Sequence, residues 1–347
     1  MEVIKDRGIR YGRWFADQWV NNLLFSTGII LLVMLVLQTQ ALGFNYDSFG
    51  DWFTAWIRNL TNVLRNNSGI GIIALGMTFV IISGGIDLAV GSSLVAVGAA
   101  IMLLLDTGPS GILGLVGITG FPAYVVAIVL GAGVGLVLGE FTGLLITKGK
   151  IPPFIATLGT MQLFRSVTQH FMQGYNPAVP RGFLPLASFR IGNLMLMPII
   201  YWIIIAVIMY IVATRTVFGR QVYAIGSNER TARLSGINVN RVKRRVYVLM
   251  GVLVSFSAII QVARIGSMDY ANAGAGYELD AIAAVIVGGT SFSGGKGSMI
   301  GTVLGVMIIA VMNNLLNLWG VPPFLREAFK GAIVIAAVLM QRKEKEI

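Results

Sequence analysis

Long apolar segments recur along the chain and restrict it to one kind of fold. Most are about 18–22 residues long, which as an α-helix suffices to cross a hydrocarbon core of about 30 Å. Lipid offers the backbone no hydrogen bonds, so spanning segments satisfy their backbone groups within helices. The whole chain, 1–347, is therefore predicted to be one all-α polytopic membrane domain with about ten transmembrane helices embedded in the lipid bilayer. The candidate spans are Leu23–Leu42, Ser68–Ser83, Leu88–Leu105, Phe121–Ile146, Pro153–Gln173, Leu194–Thr214, Arg245–Arg264, Leu279–Gly289, Met299–Leu318 and Pro323–Met340.

Charged residues are too few to cover a water-facing surface. They make up 12% of the chain, against about 25% in soluble domains. This excludes a soluble enzyme, a disordered chain and a secreted scaffold. The chain has no cysteine and one histidine, which excludes disulfides, iron–sulfur clusters and metal sites built on several histidines. We expect no metal site and no cofactor bound by this chain.

Basic residues predict the orientation of the chain in the membrane. They concentrate in cytoplasmic loops of membrane proteins, so the net charge of +11 does not indicate a nucleic-acid partner. With a cytoplasmic N-terminus, 18 of the 26 Lys and Arg residues fall inside, mostly in the arm 1–20, the loop 215–245 and the C-terminal tail. An even number of spans places both termini in the cytoplasm. The parity depends on Leu279–Gly289, which is either a half-helix facing water or a tilted helix continued by its flanks.

The segment 47–66 has a different pattern. Aromatic and aliphatic residues, beginning with Phe49, Trp52, Phe53 and Trp56, repeat at helical spacing, and polar residues fill the opposite side. This pattern predicts an amphipathic helix in the membrane interface, with its aromatic rings at headgroup depth. The alternative is a connecting helix packed on the bundle.

Glycine–serine breaks interrupt the apolar pattern twice, at 83–92 and at 293–298. Each precedes a helix rich in small residues, which suggests two related halves. Near the first break, Asp87 is interpreted as a helix N-cap or as part of a gate. Three roles are open for Glu278 and Asp280. They cap the short helix that follows them, form ion pairs with Arg264, or contact the solute. The predicted gate residues are Gly84, Gly85, Asp87, Glu278 and Asp280.

No catalytic pattern is present in the sequence. It lacks the phosphate-binding lysine loop, the nucleophile elbow of hydrolases and the paired-histidine metalloprotease motif. His170 has no local partner pattern and is interpreted as a packing or pore-lining group. The chain is therefore not expected to be an enzyme.

A short capped helix is predicted in the large basic loop. Asn228 is a good N-cap, Glu229 suits the first turn and Gly236 suits the C-terminal end. The helix has about two turns, which is marginal for an isolated helix. It is either an ordinary surface helix or a helix that docks into a partner. The residues assigned to docking are Ser227, Asn228, Glu229, Arg230, Arg233, Gly236 and Ile237.

Polar side chains form stripes on two otherwise apolar spans. Buried polar groups in a membrane usually face a cavity or the bundle interior, and amides and guanidinium suit a neutral polyhydroxyl solute. The alternative role is to hold helices together by hydrogen bonds. The first stripe is Gln162, Ser166, Gln169 and Gln173, with Arg165 beside it, and the second is Asn313, Asn314 and Asn317.

The chain resembles the permease subunits of ribose-type ABC importers, a monosaccharide transporter family related to branched-chain amino acid permeases. The resemblance covers nearly all of Ser68–Met340. It is carried by the segments Gly76-Met77-Thr78, Ser83–Leu88, Phe154–Leu158, Gly226–Val239, Gly274–Ala284, Gly288–Ser291 and Gly294–Gly297.

This resemblance implies the type II fold, similar to that of vitamin B12-type importers, and a pore made by two permease chains. The second chain is another copy or a homologous permease. The resemblance also implies a cytoplasmic ABC ATPase, which holds the ATP and Mg²⁺, and an extracytoplasmic sugar-binding protein. The resemblance further implies that Asn228–Ile237 is the coupling helix that contacts the ATPase.

The function implied is the import of a ribose-like pentose, or a related sugar or polyol, across a prokaryotic plasma (inner) membrane by alternating access. The alternative is a stand-alone secondary transporter or channel for a small polar solute. Such a transporter needs an ion-coupling carboxylate within the membrane, for which Asp87 and Glu140 are the candidates.

Overall fold

The computed structural model describes residues 23–108, 111–173, 175, 177–192 and 194–343, and these residues are mostly helical. The predicted basic arm 1–20 lies outside the described residues. A short antiparallel hairpin, β1 (Arg190–Ile191) and β2 (Leu194–Met195), follows a 3₁₀ turn at Arg181–Phe183. The helices are α1 (Leu23–Leu42), α2 (Phe49–Ile82), α3 (Val90–Leu105), α4 (Ile112–Leu115), α5 (Gly120–Thr147), α6 (Pro153–Met172), α7 (Pro185–Ser188), α8 (Met197–Arg215), α9 (Val217–Ser227), α10 (Glu229–Leu234), α11 (Val239–Ile265), α12 (Tyr277–Val287), α13 (Met299–Leu318) and α14 (Pro323–Lys343).

Six helices in the described part of the chain are long and apolar enough to cross a membrane, namely α1, α2, α5, α8, α11 and α13. This confirms the prediction of a polytopic helical membrane protein. The other four predicted spans are helical as well, but each is either shorter or less apolar than these six helices. α3 and α12 are short, with 16 and 11 residues, and α6 and α14 carry more polar residues.

The centre of the bundle is packed through small residues. α5 and α11 make the most extensive helix pair, and Gly135 and Gly139, four residues apart on α5, both lie against Gly251 of α11. A methyl group on Gly135 would lie 2.5 Å from the carbonyl oxygen of Gly251. Close backbone approach of this kind is how membrane helices gain packing energy where no hydrophobic effect drives them together.

α2 unites two segments that the sequence separates. Ser48 caps its N-terminus by accepting a hydrogen bond from the Asp51 N–H (3.1 Å), and the helix runs unbroken from Phe49 to Ile82. The predicted interfacial helix at 47–66 is thus the first half of the longer helix. Phe49 is 76% exposed, as an interfacial aromatic residue would be. Its location in the membrane interface stays a prediction.

Two helices, α3 and α12, begin directly after non-helical segments. The non-helical segment 85–89 precedes α3, so this helix begins at Val90, and its N-cap residue is Ala89. The interpretation of Asp87 as the N-cap is therefore wrong. The segment 266–276 precedes α12 in the same way, and Gly91 and Gly274 touch through their backbones. The N-termini of α3 and α12 consequently lie side by side.

Candidate functional site

The polar stripe of α6 lies on the side of the helix that faces away from the bundle. The buried side of α6 consists of Ala156, Thr157, Thr160, Phe164, Thr168 and Met172. Gln162, Ser166 and Gln173 are exposed, and Arg165 and Gln169 are half-buried. The structure therefore groups the first predicted stripe on one open face, which we call the polar face.

Arg165 connects the polar face to the start of α12. Its guanidinium donates to the carbonyl oxygens of Ala271 (3.2 Å) and Ala273 (2.8 Å) in the segment before α12. Glu278 and Asp269 are the carboxylates within electrostatic range of Arg165. The structure thus brings together Arg165 and Glu278, which are far apart in sequence, and places them beside the amides of α6.

Asp280 lies apart from this face. It is 5% exposed and pairs with Lys330 of α14 (2.8 Å), which also contacts Glu327 (2.9 Å). Arg264 instead donates to Asn66 (2.6 Å). The predicted pairing of Asp280 with Arg264 is therefore wrong. The cation that Asp280 pairs with is Lys330 of α14, 50 positions further along the chain, and no local pattern connects the two residues.

The asparagines of α13 do not act as a group. Asn314 joins an amide cluster between three helices, in which Gln38 (2.9 Å) and Asn59 (3.2 Å) both donate to its side-chain oxygen. The side-chain oxygen of Asn313 is buried without a partner, and Asn317 is exposed. α13 packs mainly on α1, α2 and α12, whereas α6 packs mainly on α3. For Asn314, the contacts favour the alternative of helix association.

The predicted gate residues after α2 form a tight turn. Gly84 has φ of +79°, a conformation that suits glycine, and a methyl group on Gly85 would lie 2.6 Å from the Tyr247 hydroxyl. Asp87 is buried and accepts a hydrogen bond from the Ala89 N–H (2.9 Å). Tyr247 donates to the Ile86 carbonyl (3.3 Å), which ties this segment to α11.

α10 has the capped form that the sequence predicts. Asn228 accepts a hydrogen bond from the Thr231 N–H (2.9 Å), and Gly236 ends the helix with φ of +82°. Glu229 bonds Lys243 of α11 (2.7 Å) and Arg233 (3.1 Å). These contacts lower the pKa of Glu229, and the hydrogen bond from Lys243 has the largest effect. They hold the short helix against α11.

The outer side of α10 carries an unpartnered apolar group. Leu234 is 81% exposed, and Arg230, Arg233 and Ser235 around it are exposed too. Ala232 is buried, and Ile237 packs on the core. A cavity of about 340 Å³ beside α10 is bordered by the loop after α5, including Lys150 and Pro152, and by Glu229, Arg233 and Lys243. The surface therefore combines an apolar tip, cations and a neighbouring recess.

A junction of glycines fixes the start of α10, and no local pattern in the sequence indicates it. The Gly295 N–H donates to the Ile82 carbonyl at the end of α2 (2.9 Å), and Tyr223 of α9 donates to the Gly297 carbonyl (3.0 Å). A methyl group on Gly226 would overlap the Ile82 oxygen. The end of α2, directly before the first glycine–serine break, thus meets the second break beside Ser227. We call Ile82, Gly226, Ser227 and Gly294–Gly297 the glycine junction.

Comparison with known proteins identifies the family of the chain. The family described as branched-chain amino acid transport system / permease component matches residues 59–338, from α2 to α14. The chain belongs to this permease family. The permease is 40% identical over 339 residues to the ribose import permease of Escherichia coli, covering 96% of this chain and 97% of that protein.

Other relatives are also named as sugar import permeases. The ribose import permease of Bacillus subtilis is 44% identical over 289 residues, covering 82% of this chain and 85% of the relative. The galactose/methyl galactoside import permease of E. coli is 34% identical over 324 residues, covering 90% and 93%. No solved structure gives a significant match.

Proposed function

We propose that the permease is the membrane-spanning subunit of an ATP-driven importer that moves a monosaccharide into the cytoplasm. The observation that carries this proposal is the match over nearly the full chain to relatives named ribose import permeases. The exposed polar face adds a chemical reason, since its amides and guanidinium can donate to and accept from paired sugar hydroxyls.

The polar face also supports a second permease chain as a partner. An arginine facing lipid at the centre of a helix costs about 2.5–3.5 kcal/mol, so Arg165 and its neighbouring amides require cover other than lipid. A second copy, or a homologous permease, packed with this face inward would enclose a polar pathway between the chains. The type II fold with ten spans, and cytoplasmic termini, complete this proposal.

The partner that contacts α10 is an ABC ATPase. Support comes from α10, a helix held by Glu229 and Lys243 but with Leu234 unpartnered on its outer side. In the proposed cycle, an extracytoplasmic binding protein delivers sugar. ATP and Mg²⁺ bound to the ATPase pair then drive movement of α10. The glycine junction connects that movement to α2 and to the loop before α13.

The stand-alone transporter remains the second candidate, but its proposed ion-coupling groups are less available. Glu140 forms an ion pair with Arg244 (3.4 Å), and Asp87 is bonded in the turn before α3. Among the described residues, neither carboxylate forms an ion pair with Arg165.

Reconstitution tests the proposal directly. We expect ribose uptake into vesicles when the permease is combined with its ATPase, ATP and the binding protein, with no uptake when ATP is replaced by a non-hydrolysable analogue. Galactose and xylose serve as the specificity series. Uptake by the permease alone, abolished by dissipating the ion gradient, would refute the importer and favour the stand-alone transporter.

A further inference from the structure

A basic pocket lies between α2 and the β-hairpin, apart from the polar face and from α10. Its volume is about 400 Å³. The described residues that line it include three arginines and no acidic side chain. The lining residues are Arg58, Thr61, Asn62, Arg65, Arg190, Leu194 and Met195.

The arginines of this pocket have unused hydrogen-bonding capacity. Among the described residues, no carboxylate pairs with Arg58, Arg65 or Arg190. One terminal nitrogen of Arg65 contacts the sulfur of Met195 (3.4 Å), and the other contacts Asn66 (3.5 Å). Its Nε is buried without a partner. Buried polar atoms in folded proteins nearly always have partners, so this nitrogen has a donor to offer to an acceptor.

The chemistry of the lining suits a phosphate group. Guanidinium binds phosphate through two parallel hydrogen bonds, and the arginines make the pocket strongly positive, which favours an anion. The Asn62 amide adds a neutral donor at the same wall, whereas the Thr61 hydroxyl already donates to the Ile57 carbonyl within α2 (2.7 Å). A phosphodiester also has two free oxygens that can reach two arginines at once.

The position of the pocket corresponds to the headgroup layer. Leu194 and Met195 come directly before α8, whose 19 residues span about 28 Å, close to the hydrocarbon thickness of about 30 Å. The pocket therefore lies where this span leaves the hydrocarbon. The outward side of α8 exposes only apolar side chains over its central turns, including Ile203, Ile204 and Val207. Acyl chains lying on α8 would place their phosphate at the pocket.

We propose that this pocket binds the phosphate headgroup of an anionic phospholipid. The lipid would join α2 to the hairpin and shield the three arginines from one another. Basic pockets between transmembrane helices are an established way in which proteins select anionic lipids. This proposal does not depend on which solute the permease carries.

Native mass spectrometry of the purified permease tests the proposal. Phosphatidylglycerol, phosphatidylcholine and inorganic phosphate are titrated separately. We expect retained phosphatidylglycerol adducts on the wild type and at least a tenfold loss of affinity in the triple variant Arg58→Gln, Arg65→Gln, Arg190→Gln. Removing the same charge elsewhere, by Arg181→Gln, Arg215→Gln and Arg220→Gln, should leave binding unchanged.

Two further variants cover the case in which the triple variant does not fold. Arg190→Gln alone changes an exposed hairpin residue, and Arg65→Lys keeps the charge but removes the paired hydrogen bonds. Each should weaken phosphatidylglycerol binding by several-fold. Equal phosphatidylglycerol binding by all variants, or no adduct on the wild type, would overturn the proposal. Displacement of the lipid by millimolar phosphate would assign the pocket to free phosphate instead. Loss of binding-protein affinity in the arginine variants, without any lipid binding by the wild type, would assign it to protein docking.

Discussion

The glycine junction leads to the most direct prediction about coupling, because Gly226 is enclosed by backbone. A methyl group there would overlap the Ile82 carbonyl oxygen and lie 2.5 Å from the Gly295 nitrogen, whereas real Cβ atoms essentially never come within 3.0 Å of such atoms. Neither neighbour is a flexible side chain that can rotate away. Gly226→Ala must therefore displace the end of α9, and α10 with it, from the loop before α13.

The energetic cost follows from three effects. Overpacking costs about 1–3 kcal/mol, and loss of the Gly295–Ile82 hydrogen bond costs about 1 kcal/mol more. Alanine gains at most about 1 kcal/mol in helix propensity. The net cost of about 1–3 kcal/mol corresponds to roughly a tenfold shift or more away from the native position of α10.

The assay is sugar-stimulated ATP hydrolysis and uptake, both normalised to assembled complex. We expect Gly226→Ala to lower both by roughly tenfold while the chain still inserts in the membrane. Gly133→Ala in α5 is the matched control, because a methyl group there meets nothing within 4 Å. Wild-type coupling and thermal stability in Gly226→Ala would refute the enclosure of this glycine and the role of the junction.

Three other predictions concern the polar face and α10. Gln169→Leu should slow uptake per complex by roughly tenfold for each 1.4 kcal/mol of hydrogen bonding lost at the barrier, whereas Asn314→Leu should lower thermal stability and leave uptake per folded complex unchanged. The reverse result would exchange the roles assigned to the two stripes. Leu234→Ser should weaken ATPase binding, measured by co-purification, without changing the melting temperature of the permease alone; unchanged co-purification would exclude Leu234 from the docking surface. Because the pKa of Glu229 is lowered in the folded chain, its contacts contribute stability above the ordinary value of 4.5 and lose it as the pH falls below that value. Proteolysis within the loop 215–245 should therefore rise below about pH 4.5 in the wild type but not in Glu229→Gln, and a rise in both would point to another group.

Local patterns in the sequence determined the helices and the capped form of α10. The apolar segments specify membrane helices because length and hydropathy are properties of the segment itself. Asn228 and Gly236 define the ends of α10 because capping bonds join residues a few positions apart. The polar side of α6 was predictable for the same reason, since helical spacing alone places Gln162, Ser166 and Gln169 together.

The tertiary structure decided which of these groups work together. Arg165 meets carbonyl groups more than 100 positions away, Asn314 meets Gln38 and Asn59, and Asp280 meets Lys330. The union of 47–66 with the next span also escaped prediction, because polar residues around Asn66 imitate a boundary within an unbroken helix. Gly226 shows the reason most clearly. Its partners at Ile82 and Gly295 lie far away in the chain, and only the packing of three helix ends makes a side chain there impossible.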